Sequence, residues 1–135
     1  MDKLAKKKAS SETDRSKPVN HFLKFVHDKK AQNVVWLDMR NLTDAVCSHF
    51  IICEGRSDTQ VKAIASNVHE QAKKILGEHP LHIEGMTNGE WVLLDYFDVI
   101  VHVFLRDKRE FYHLEELWSD ADFHFYDEFG NPIEH

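Results

Sequence analysis

Glu90 to Leu105 reads EWVLLDYFDVIVHVFL, and this stretch decides the fold. Two runs rich in β-branched, aromatic and aliphatic residues, 90–96 and 98–105, read as strands. Only the short junction Tyr96-Phe97-Asp98 joins them. That is too little chain for a crossover, so the pair is expected to be an antiparallel hairpin. Side chains alternate across a strand. Trp91, Leu93 and Asp95 therefore share one face, and Val92, Leu94 and Tyr96 the other. In the second run Ile100, His102 and Phe104 alternate with Val99, Val101 and Val103. One face of the hairpin can supply core, leaving some of Trp91, Asp95, Tyr96, Phe97 and His102 near an exposed edge.

Upstream, Pro18 can open a helix, and Phe22, Leu23 and Val26 follow at helical spacing, ending near Ala31. VVWLDM (34–39) reads as a mostly apolar, central strand, and FIIC (50–53) as a second buried one. Ser57 with Gln60 matches a capping box. Val61, Ile64, Ala65, Val68, Ala72 and Ile75 then repeat at helical spacing up to Gly77, a C-terminal cap. A third strand, LHIEG, follows Pro80, with a turn at Asn88-Gly89. Downstream, Phe111, Leu114, Leu117 and Trp118 mark a last helix. The order α-β-β-α-β-β-β-α predicts an α/β fold, a mixed five-stranded sheet with packed helices. A parallel crossover through the middle helix precedes a meander.

The 135 residues amount to one domain. Its expected limits are 18–121, between a polar, basic, disordered tail at 1–17 and an acidic, frayed tail at 122–135. Residues 1–17 carry a net charge of +3 and the remainder −9. So acidic a body repels phosphate backbones, speaks against direct nucleic-acid binding and suits a basic protein partner. No run is long and apolar enough for a membrane span, and no apolar signal core opens the chain. The N-terminal tail is richer in Lys than Arg and is interrupted by Asp2, Glu12 and Asp14, unlike a transit peptide. Cys47 and Cys53 lack metal or redox spacing. A cytoplasmic protein with reduced thiols is expected.

FIICEGRSDTQVKAI (50–64), EWVLLDYFDVIVH (90–102) and FYHLEELW (111–118) together resemble the Iojap/RsfS family of ribosomal silencing factors, over roughly residues 20–121. The resemblance implies a factor that binds the large ribosomal subunit through its interface protein number fourteen. Standing where the small subunit would dock, it lowers translation when nutrients are scarce. It also implies a minimal nucleotidyltransferase-like fold without the enzyme's active site. The family usually has Gly where this chain has Phe97. Glycine there permits a positive φ, so Phe97 implies either a different turn or local strain.

Trp91, Asp95, Tyr96, Phe97, Asp98 and His102 are the candidate partner-binding residues, since aromatics most often dominate interface energetics. Trp91 reads equally as an ordinary core aromatic, and His102 as a half-buried histidine with a hydrogen-bond partner. Asp95 and Asp98 invite a Mg²⁺ reading. However, their D-x-x-D spacing encloses a bulky Phe and lies far from the Gly55-Arg56-Ser57-Asp58 turn, so both read as turn residues. Ser57 reads as a helix cap. Ten histidines include no H-E-x-x-H pair. No catalytic residue, metal or cofactor is expected. Glu115, Glu116 and Asp120 around Leu117 and Trp118 form either an acidic patch for a basic partner or solvated neighbours of core residues. A homodimer through a sheet edge or the hairpin is also compatible with this pattern.

Overall fold

The computed structural model describes residues 19–43, 45, 47–112, 116 and 118–134. The basic tail, Pro18, Leu114, Glu115 and Leu117 lie outside the described residues, as does the side chain of Phe111. Helix α1 occupies 19–27. It is followed by β1 (Gln32–Asp38), β2 (His49–Gly55), α2 (Asp58–Gln71) with a π-helical extension Ala72–Leu76, β3 (His82–Glu84) and β4 (Trp91–Asp95). Then come β5 (Val99–Leu105), α3 (Arg106–Tyr112), β6 (Asp122–Tyr126) and β7 (Pro132–Ile133).

The seven strands form one sheet in the order β3-β4-β5-β2-β1-β6-β7, two more than expected. The extra pair comes from the segment expected to fray. Its charge density hides a strand alternation: Phe123 and Phe125 stack on one another (centroids 5.9 Å apart) and pair with Leu37 and Val35 of β1. Apolar contact on one side is enough to hold a sheet-margin strand whose other side is polar. Among the described strands only β2 and β5 pair in parallel. The crossover from β2 thus passes through α2, β3 and β4 before β5 returns beside it.

Helix α2 forms for the reasons its sequence suggests, with one variation. Ser57 Oγ accepts from Gln60 N–H (3.1 Å), but the Gln60 side chain reaches one residue further back, accepting from Arg56 N–H (2.7 Å). Its amide also donates to the Lys29 and Lys30 carbonyls (3.3 and 3.1 Å), tying the end of α1 to the start of α2. Gly77 closes the helix at φ 65°. Gly85 turns β3 into β4 at φ +91°, where a Cβ would lie 1.9 Å from the Trp91 carbonyl oxygen. No side chain fits there without moving the strand.

The two faces of the sheet are packed differently. One carries Val34, Ile51, Cys53, Val92, Leu94, Val101 and Val103 against α1 (Phe22, Val26) and α2 (Val61, Ile64, Val68), all nearly solvent-free. Each such aliphatic contributes about 2 kcal/mol by leaving water. The other carries Val35, Leu37, Phe50, Ile52 and Phe104, covered by Met39, Leu42, Ala45, Cys47 and Trp118 from connecting segments. That cover leaves the β4 side of the sheet partly open.

At the end of β2, buried Glu54 draws in α3. Arg106 Nε (2.9 Å), Arg109 Nη1 (3.2 Å) and Asn33 Nδ2 (2.9 Å) all donate to its carboxylate. A buried carboxylate needs such partners.

Candidate functional site

The β4–β5 hairpin keeps its alternation, and α1 decides which face is closed. Val92, Leu94 and Tyr96 point to the helices. Trp91, Leu93 and Asp95 lie on the opposite, half-buried side.

Trp91 opens β4. Its ring stacks on Phe104 (5.1 Å, 23°), and its Nε1–H donates to His102 Nδ1 (3.1 Å). The indole is held on two sides yet stays only half-buried. His102 is 3% exposed, with the Phe50 ring 4.7 Å away, edge to face. Burial pushes its pKa down to about 3. A neutral imidazole that accepts at Nδ1 carries its hydrogen on Nε2, and that buried nitrogen has no hydrogen-bond partner among the described residues.

Asp95 serves the turn. Its Oδ1 accepts from Phe97 N–H (2.8 Å), and its Oδ2 lies 3.8 Å from His82 Nε2. Asp98 N–H donates to the Tyr96 carbonyl (2.9 Å), closing a three-residue γ-turn centred on Phe97 at φ 75°. Of the two readings that Phe97 left open, the strained one holds. Such a conformation costs a bulky residue about 1–3 kcal/mol. The ring gains little burial in return, being 71% exposed. The Asp98 carbonyl accepts from Ser48 and His49 N–H (3.2 and 3.0 Å), so the tip is fixed to β2.

Four of the six candidates, Trp91, Asp95, Phe97 and Asp98, thus lie along one accessible strip. Two do not. Tyr96 is 7% exposed and packs on Phe22 (4.7 Å), its hydroxyl buried without a partner among the described residues. Burial, with the negative charge of Glu78 nearby, pushes that phenol up to about 12. Tyr96 is therefore core and not a surface anchor. His102 supports Trp91 from beneath, because the strand turns its ring under the indole. The strip gains two residues that sequence reasoning passed over. Leu93 is half-exposed between Trp91 and Asp95, which its place in the alternation could have signalled. Leu81 is 66% exposed, with its N–H on the Asp95 carbonyl (2.7 Å), a long-range pairing with no local signal.

Among the described residues no three His, Cys, Asp or Glu side chains are grouped to hold a metal ion. Cys47 and Cys53 are both pushed up to about 12 by burial and are unreactive as thiolates. Trp118 sits against Phe50 (6.1 Å, edge to face), within the second core.

Residues 12–133 match the family model described as ribosomal silencing factor during starvation. The chain belongs to this family of ribosomal silencing factors. Ribosomal silencing factor RsfS of Bacillus subtilis is 45% identical over 94 residues, covering 70% of this chain and 78% of the relative. The factor of the same name from Halalkalibacterium halodurans is 46% identical over 99 residues, 71% of this chain and 80% of the relative. A crystal structure of a Bacillus halodurans protein superposes with a TM-score of 0.69 at 34% identity, covering 89% of this chain and 99% of that one. Silencing factors are named as regulators and not as enzymes. The role of this chain lies in ribosome silencing, through association with the ribosome.

Proposed function

We propose that the chain binds the large ribosomal subunit through its interface protein number fourteen and holds off the small subunit by occupying that surface. The observation that carries this reading is the strip of Trp91, Leu93, Asp95, Phe97 and Asp98, where a rigidly held, half-buried indole opens a strand face that ends in two carboxylates. Drying such an aromatic against a partner contributes most of an interface's energy. Neighbouring carboxylates favour a basic partner and speed the encounter. An interface of common size, about 1,600 Å² in total, suffices. A tenfold suppression of subunit joining at equal concentrations needs an advantage of about 1.4 kcal/mol. With its bacterial relatives as the guide, we place the protein in the cytoplasm. If two free copies pair through the same hairpin, they separate before docking.

We also infer that the fold is a minimal nucleotidyltransferase-like one whose acids have other tasks. Ser57 caps α2, and Asp95 holds the Phe97 turn.

The test is co-sedimentation with purified large subunits, together with a subunit-joining assay. Wild type is expected to co-migrate and to lower joining. Trp91→Ala is expected to lose both while its circular dichroism stays unchanged. Joining untouched at saturating wild-type protein would remove the proposal.

A further inference from the structure

Three described residues other than glycine have a positive φ: Lys30, Asn33 and Phe97. Each has a local backbone reason. Lys30 ends α1, its N–H on the His27 carbonyl (2.9 Å). Asn33 lies at an irregularity in β1 and donates its amide to buried Glu54, and asparagine tolerates this backbone region well. At Phe97 the reason lies in the backbone alone, which turns from β4 into β5 through the bonds to Asp95 Oδ1 and the Tyr96 carbonyl. Its bulky ring sits where the backbone favours glycine, and it is 71% exposed. A strained residue whose side chain is left mostly exposed points to a contact made outside its own chain.

From this we infer that Phe97 is a specificity-determining anchor: on docking it enters an apolar notch, flanked by cationic side chains, on a protein of the large subunit. The inference rests on the reading above and adds the form of the contact. Three observations fix the chemistry of the notch. Leu81, also exposed, is bonded through its N–H to the Asp95 carbonyl, two residues before Phe97, and extends the apolar tip. The carboxylates of Asp95 and Asp98 stand on either side of the ring in sequence, and Asp98 is exposed. The turn is also rigid, bonded through Asp95 Oδ1, the Tyr96 carbonyl and the N–H groups of Ser48 and His49, so the ring is presented with little ordering left to do.

The consequence is that one substitution should move stability and binding in opposite directions. Phe97→Gly relieves the backbone and should raise the thermal midpoint by about 4 °C. It should also weaken binding to purified large subunits about tenfold. Phe97→Leu keeps the apolar bulk and should bind within about threefold of wild type. Wild-type binding with Phe97→Gly equally tight would overturn the anchor while leaving the ribosomal reading intact. A Phe97→Gly protein less stable than wild type would overturn it too, since the ring would then be supporting its own fold. Equal affinity for bare large-subunit RNA would replace the protein notch with base stacking. If wild type itself fails to bind large subunits, the underlying reading falls, and the anchor with it.

Discussion

Each face of the sheet carries a tryptophan whose indole N–H reaches a buried histidine, and the two pairs differ in what stands behind the histidine. On the helical face Trp36 donates to His49 Nδ1 (3.0 Å). Asp38 lies 4.0 Å from that nitrogen and is itself gripped by Arg40, at 3.0 and 2.7 Å. This grip, chiefly through the Arg40 hydrogen bond, holds the Asp38 carboxyl below its usual range. His124 stacks on the indole (4.4 Å). On the other face Trp91 donates to His102 (3.1 Å), and the rings around that histidine are Phe50 and Phe104. One pair belongs to a charged corner. The other is a clamp lined by aromatic rings around the Trp91–His102 bond, and it sets the angle of a half-buried indole.

The widest difference between the faces should appear in stability. Phe22→Ala, emptying a site between Phe25 and Tyr96, is expected to cost about 4 kcal/mol in denaturant unfolding. Leu93→Ala, on the half-exposed strip, should cost less than about 1 kcal/mol. Comparable losses would mean that the open face is as structural as the helical one.

A pH titration tests how dry the site around His102 is. The pKa of His102 is about 3 in the folded protein, against an ordinary 6.5. Between those values the unfolded chain binds a proton that the folded chain does not, so acidification favours unfolding. Its contribution is complete above pH 6.5 and is lost as pH falls toward 3. The stability of wild type relative to His102→Phe should therefore decline by about 2 kcal/mol between pH 7 and pH 5. Parallel pH profiles would show that His102 is protonated in the fold.

The smallest effect compares the two indole donors. Trp91→Phe leaves His102 Nδ1 buried without its link and should cost about 1.5 kcal/mol. Trp36→Phe leaves His49 within reach of Asp38 and should cost about 0.5 kcal/mol. Equal costs in chemical denaturation would mean that the two indole donors are equivalent.

Much of this architecture could be read from the chain because its signals are local. The Ser57–Gln60 cap, Gly77 and the aliphatic spacing of α2 sit within a few residues of what they determine. The alternation of β4 and β5 likewise grouped Trp91 with Asp95 and Tyr96 with Val92. Which group faces water was not local information: it depends on α1, some seventy residues earlier, placing Phe22 against Tyr96. The same holds for Glu54, whose arginines lie 52 and 55 residues away. Strand β6 was missed because Asp122, His124 and Asp127 mask the two phenylalanines that hold it.

Gln60 has a consequence for how the molecule opens. One side chain grips the Arg56 amide and the last carbonyls beyond α1, thirty residues earlier in the chain. If α1 peels away, α2 loses the brace at its own first turn. The two helices are thus coupled in local unfolding. Their amides should exchange with solvent as one cooperative unit, although the chain passes through two strands between them.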